Sequence, residues 1–227
     1  MKQTLTETAY HRIRRDIIEC RLAPGSSISE PMLSELLGLG KSGIRAALIR
    51  LAHEGLLLPV ARQGYVVAPL TLKDARNILD LRIQLEPYAA FLAAGNVKAS
   101  DFSRVREQFN SGYDLDRVDT LSDFLAANRE GRRILGEASG NARLATMIIE
   151  LVDSLERYLR LGLLTENRSR VFAESHDVLV SLLVAGKKEQ AADLSRSQMT
   201  ASREFIMEAL LSQDSIQEAA ITSPEQR

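Results

Sequence analysis

The chain has 227 residues, 45% hydrophobic and 26% charged, with no tryptophan and a formal net charge of −1. Its single cysteine, Cys20, excludes an internal disulfide and any multi-cysteine zinc site. No apolar run reaches about 18 residues and there is no charged-then-apolar leader, so neither a membrane span nor a signal peptide is expected; the lack of disulfides fits a reducing cytosol, and a cytoplasmic location is the expectation. Leucine and alanine dominate and no β-rich run persists after residue 70, which favours a mainly α protein. The charge is uneven. Residues 1–69 carry nine Lys and Arg against six Asp and Glu, whereas the remainder carries twenty against twenty-four. A mildly cationic front on an acidic body is compatible with a polyanion partner for the front.

Residues 5–20 place apolar side chains at 9, 10, 13, 17 and 18, a helical period, with Thr6 or Thr8 as candidate cap. Pro24-Gly25 ends that element. Ser29 opens a second helix with Pro31 in its first turn, and Met32, Leu33, Leu36 and Leu37 are its expected buried face. After the break Gly38-Leu39-Gly40, residues 41–55 form a third helix, with Ile44, Ala47, Leu48 and Leu51 inward and Gly55 as its stop. Residues 56–60 and 64–68 read as two short strands around Ala61-Arg62-Gln63.

Three helices and a two-stranded ribbon in this order are the layout of a winged helix-turn-helix. In that geometry the first residues of the third helix approach base edges in the major groove, and its free N–H groups can meet a phosphate. Lys41, Ser42 and Arg45 are the first candidates for DNA contact, and Arg50 lies further along for phosphate or a neighbouring side chain. The tip Arg62, Gln63 and Gly64 is placed to reach the minor groove or the backbone. The text IIECRLAPGSSISEPMLSELLGLGKSGIRAALIRLAHEGLLLPVARQGYVV, within residues 9–67, resembles the DNA-binding domain of GntR-family transcriptional regulators. Gly40, Lys41, Gly43 and Ala46 depart from that family's usual serine, arginine, proline and glutamate. A lysine is a point charge, not a bidentate fork, so it reads guanine less directly than arginine.

Residues 72–94 form a long amphipathic helix with Ile78, Leu81, Leu85, Ala89 and Leu92 expected inward. Helical patterns follow at about 99–113, 118–138, 141–162, 168–185 and 187–211. The chain therefore divides into residues 1–70, a winged helix-turn-helix, and 71–211, an all-α helical bundle. Residues 212–227 are expected as a flexible tail. The second part resembles the ligand-binding domain of the FadR-type branch, the FCD domain, on Asp80 to Glu86, Glu137 to Asn141 and Ser175 to Leu179. That resemblance implies a homodimer, operator DNA as partner, and a small effector inside the bundle.

Many members of that branch bind a divalent metal there, through an aspartate and a histidine four apart on one helix and two histidines on later helices. Aligned from Gly140-Asn141 and Gly186, these positions fall on Asn128, Arg132, His176 and Gln198. One ligand in four remains, and an arginine among them repels a cation. The family's metal site reads as lost and no cofactor is expected, with Asp123 and Asp177 as the residues that could alter this. A buried guanidinium needs a partner, and its fork suits a carboxylate or phosphate. Arg82, Asn128, Arg132, His176 and Gln198 are therefore candidate contacts for an anionic metabolite, with Arg157 and Tyr158 as further lining. The competing reading of Arg132 is an internal salt bridge to an acidic neighbour.

The expected function is a sequence-specific DNA-binding transcriptional regulator, a repressor in preference to an activator, controlled by a small organic acid. A helical scaffold or metabolite-binding protein with a degenerate DNA-binding head is the alternative. No nucleophile elbow, HExxH or Gly-rich phosphate loop occurs, which argues against an enzyme.

Overall fold

The computed structural model describes residues 4–212, so the expected tail from 213 onward lies outside the described residues. The chain forms two compact units, which meet at Leu70 and Thr71. In the first unit, α1 (Leu5–Ile18), α2 (Glu30–Leu37) and α3 (Lys41–His53) surround a three-stranded antiparallel sheet. Its strands are β1 (Ser27–Ile28), β2 (Leu57–Val60) and β3 (Gly64–Val67), in the order β1-β3-β2. β2 and β3 are the expected ribbon, with Leu57 opposite Val67 and Val60 opposite Gly64. The two residues of β1 are too short to show a strand period, and they extend the ribbon on its other edge.

Two local expectations in this unit are corrected. The cap of α1 is Thr4, not Thr6 or Thr8: its hydroxyl accepts from the Glu7 N–H while the Glu7 carboxylate accepts from the Thr4 N–H. Thr4 and Glu7 have the spacing of a capping box. On α2, Leu33 is buried and Leu37 packs on the core, but Met32 and Leu36 face outward. An eight-residue helix with one i, i+4 pair inward buries only a narrow stripe. Ile13, Ile17, Leu33, Ile44, Leu48, Leu51 and Leu57 form the shared core.

The second unit is all helical: α4 (Leu72–Ala93), a 3₁₀ turn (Ala99–Phe102), α5 (Ser103–Ser111), α6 (Val118–Ala138), α7 (Ala142–Thr165), α8 (Ser169–Val184) and α9 (Lys188–Leu211). Two of these α-helices start on a side-chain cap: Thr71 accepts from the Asp74 N–H at α4, and Asn141 accepts from the Leu144 N–H at α7. Small residues Ala89, Ala90 and Ala93 let α4 approach Leu135, Ile148, Leu179 and Leu183 closely. Along α4 the buried stripe runs through Ala75, Ile78, Arg82, Glu86, Ala89 and Ala93. Leu81 is half exposed, contrary to expectation, because the i, i+4 positions inward of it are taken by a charged pair that apolar periodicity does not mark. Pro87 lies inside α4, so the Ile83 carbonyl lacks its helical donor; Arg196 of α9 donates to it at 3.4 Å instead.

Candidate functional site

Two surfaces bear the residues singled out by sequence. The first is the start of α3. Lys41, Ser42 and Arg45 are exposed there, and the helix is capped by Gly40 with no side-chain hydrogen bond, so its first N–H groups stay free. Arg45 is not a loose cation. Its Nε and one terminal nitrogen donate to both carboxylate oxygens of Glu30, at 2.9 Å each. That bond holds the Glu30 carboxyl below its usual range. It fixes the plane of the guanidinium and leaves three of its five N–H donors unused. Gly43 is buried, and a side-chain carbon there would lie 3.6 Å from the Leu5 and Thr6 backbone. The start of α3 thus packs against the start of α1.

Arg50 has different company. Its guanidinium rests 3.6 Å over the Tyr10 ring and its Nε donates to Glu54 at 3.2 Å, while the Tyr10 hydroxyl donates to the same carboxylate. This cluster ties α1 to α3, so Arg50 is occupied in holding the head together. At the hairpin tip, Arg62 and Gln63 are exposed, and Arg62 adopts a left-handed φ of 64°. Gly64 serves a steric purpose: φ is +105° and a Cβ would stand 2.7 Å from the Ile28 carbonyl oxygen.

The second surface is a cavity of about 130 Å³ inside the helical unit. Arg82, Asn128, Arg132, His176 and Gln198 all line it. They arrive from four helices: Arg82 from α4, Asn128 and Arg132 one turn apart on α6, His176 from α8 and Gln198 from α9. Arg157 and Tyr158 do not line it. The Tyr158 hydroxyl instead donates to Asp74 at 2.8 Å and accepts from the Thr71 N–H at 3.3 Å, anchoring the first turn of α4. Asp177 likewise faces elsewhere, paired with Arg106 at 3.1 Å.

Behind the cavity lies a residue the sequence reading left out as a site member. Glu86 is fully buried between two guanidiniums. Arg82 Nε donates to its Oε1 at 2.5 Å, and Arg132 Nε stands 3.3 Å from its Oε2. Burial pushes the Glu86 carboxyl up, but Arg132 and Arg82 outweigh it and hold the group ionised below its ordinary range. The internal salt bridge considered for Arg132 therefore exists within the cavity wall itself. Arg132 makes no hydrogen bond among the described residues, and Glu86 Oε2 has none either. The ring of His176 is packed edge-on against Phe109 and Phe102, and its buried Nε2 has no partner. Burial first, then Arg132, pushes its pKa down to about 4. Gln198 donates to the backbone and hydroxyl of Ser175.

Residues 5–67 match the family model of bacterial regulatory proteins of the gntR family, and residues 77–201 match the FCD domain. The chain belongs to the GntR family. Its helical unit is the FCD domain of the FadR-type branch, and the protein is a DNA-binding transcriptional regulator. It is 28% identical over 206 residues to the HTH-type transcriptional regulator BphR of Paraburkholderia xenovorans strain LB400, spanning 88% of this chain and 84% of that one. It is 26% identical over 148 residues to the HTH-type transcriptional repressor RspR of Escherichia coli K12, spanning 65% and 64%. Among solved structures, E. coli McbR/YncC superposes with a TM-score of 0.68 at 21% identity, covering 91% of this chain and 99% of that one.

Within this GntR-family chain the branch's metal site has a poor set of donors. No cluster of three His, Cys, Asp or Glu side chains is placed to hold a metal among the described residues. At the aligned positions the side chains are an amide, a guanidinium, one imidazole and a second amide, and the guanidinium is an acceptor-free cation. None of the described helices is long and apolar enough to cross a membrane.

Proposed function

We propose that this regulator represses its target by binding a near-palindromic operator as a homodimer, and that a small organic anion in the helical-domain cavity sets its affinity for DNA. Lys41, Ser42 and Arg45 are the base- and phosphate-facing residues of the recognition helix, with Arg62 and Gln63 on the flanking groove. The effector sits against Arg132, Arg82, Asn128, His176 and Gln198, with no metal. One observation carries this reading: a largely buried guanidinium, Arg132, has no hydrogen bond and lines a cavity whose surface is mostly apolar. Such a group is a ready receiver for a carboxylate. The repressor named among its relatives supports the sign of control.

Control requires that the effector bind two arrangements of the protein unequally. The helix α4 is suited to register the difference. It begins at Leu72, two residues after the first unit ends, and carries Arg82 and Glu86. An anion that draws Arg132 away from Glu86 changes the load on that helix.

The test is a gel-shift assay on duplexes recovered by selection from random DNA, with a panel of organic acids as releasing agents. Binding should weaken steeply with salt, and Lys41→Ala should lower the slope of log K against log salt by about 0.9 while weakening all sequences alike. Failure to recover any salt-sensitive duplex would favour the scaffold with a degenerate head. Release by none of the acids would remove the effector part.

A further inference from the structure

The cavity permits a charge count. Arg82 and Arg132 bring two positive charges, Glu86 brings one negative charge, and His176 is neutral at physiological pH. At the rim, Arg168 lies 4.1 Å over the Phe205 ring and is paired with Glu166 at 2.8 Å, so it adds nothing to the balance. The inner wall therefore holds one uncompensated positive charge on side chains that are largely buried. A surplus buried charge is costly until something answers it. One anionic charge brings the count to zero. Two leave a buried negative charge, and a divalent cation raises the surplus to three.

The donors converge in the same place. Arg132 has its N–H groups unbonded, Asn128 is 7% exposed one turn before it with no hydrogen bond among the described residues, and His176 Nε2 is buried without a partner. Much of the remaining lining is apolar and in part aromatic, including Phe109, Phe172, Leu179, Leu183, Met199 and Phe205. Its volume of about 130 Å³ is near that of an apolar cavity of roughly 150 Å³ that accepts benzene. Phe109 and Phe172 stand nearly perpendicular, 6.1 Å apart, a geometry that receives another ring edge to face.

Resting on the reading of this cavity as the effector site, we infer that it takes a metal-free monocarboxylate bearing a single ring-sized apolar body. The carboxylate meets Arg132, Asn128 and His176, and the ring lies among Phe109, Phe172, Leu179 and Met199. Glu86 is the internal counter-ion that sets the accepted charge at one.

The experiment is calorimetric titration of the full chain with four probes: benzoate, its neutral isostere benzamide, the dianion phthalate, and the bodiless anion acetate. Benzoate should bind at least tenfold tighter than each of the others. Arg132→Gln should weaken benzoate at least tenfold and leave it level with benzamide. Glu86→Gln raises the surplus to two, and the ratio of phthalate to benzoate affinity should rise at least tenfold over the wild type. If Glu86→Gln does not fold, as judged by circular dichroism, the wild-type and Arg132→Gln titrations decide alone. Phthalate or benzamide binding as tightly as benzoate, benzoate indifferent to Arg132→Gln, benzoate affinity raised by added zinc, or no benzoate binding at millimolar concentration would each overturn the inference. The broader effector reading fails separately, only if no organic anion of any class releases the selected operator.

Discussion

Glu86→Gln is the sharpest single perturbation of the helical unit. The change conserves shape and removes one charge from a side chain with no exposure at all. In the wild type one carboxylate answers two guanidiniums, at 2.5 Å and 3.3 Å, and the Arg82 and Arg132 side chains are 4% and 14% exposed. Without Glu86, two buried positive charges face each other. Breaking a buried pair by removing one partner costs about 3–5 kcal/mol. At roughly 2–4 °C per kcal/mol for a unit of this size, the melting transition should fall by about 6–20 °C. Differential scanning calorimetry on the full chain is the right assay, because two compact units can melt separately and only the helical one should move. The double variant Glu86→Gln, Arg132→Gln should recover a good part of the loss, giving a coupling energy of roughly 0.5–3 kcal/mol. A loss below about 1 kcal/mol for the single variant would mean that water or another acceptor reaches both arginines, and the charge count of the cavity would fall with it.

Three further outcomes test other links. Gly64→Ala should destabilise the head by about 1–3 kcal/mol in chemical denaturation, since the new Cβ meets the Ile28 carbonyl oxygen at 2.7 Å in a left-handed conformation; an unchanged midpoint would refute the close approach. Gly43→Ala should stabilise the head by roughly 0.5–1 kcal/mol, because a Cβ meets only ordinary contacts at 3.6 Å and glycine is a poor helix former. His176 gives a pH dependence. Its pKa falls from 6.5 unfolded to about 4 folded, so the unfolded state binds more protons between those values and stability declines as pH drops through that window. The loss, on the order of 2–3 kcal/mol at pH 4, should be absent in His176→Gln when the two stability curves are subtracted.

Much of this was legible in the sequence because it rests on local rules. The turn Pro24-Gly25, the cap Ser29, the break before Lys41 and the punctuation of the later helices fix element boundaries through chemistry acting over four or five residues. Four cavity members were also reachable, since aligning the family's ligand positions lands on Asn128, Arg132, His176 and Gln198, which line one cavity. What escaped was long-range or electrostatic. Glu86 reads as one more polar residue in an amphipathic helix, and only tertiary packing shows that it is sealed between Arg82 and Arg132. The same blindness misplaced Leu81, because apolar periodicity cannot register a buried ion pair in the stripe. For Arg50 the sequence leaves phosphate and a neighbouring side chain both open, and only packing shows that Tyr10 and Glu54, one helix and one turn away, claim it. Strand β1 has too few residues to announce a period, and Thr4 was passed over although Thr4 and Glu7 spell a capping box.

The two sites share a device, and it bears on how the protein was shaped. In each, an arginine proposed to meet an anion is paired with a carboxylate of the protein: Arg45 with Glu30 on α2, Arg132 with Glu86 in the cavity wall. Such a partner reduces the ordering that binding demands, because the guanidinium is already in place. It also raises the threshold, since the incoming anion must compete with a fixed carboxylate. The exposures separate the two cases. Arg45 is 66% exposed, so water screens its pair and the exchange with phosphate is nearly neutral. Arg132 is largely buried, at 14% exposure, where the same exchange is decided more by charge number and geometry. On the proposed reading, the head would tolerate many phosphate backbones and take its selectivity from base contacts. The cavity would refuse most anions, and a change at Glu86 would alter which charge it accepts more than any change in its apolar wall.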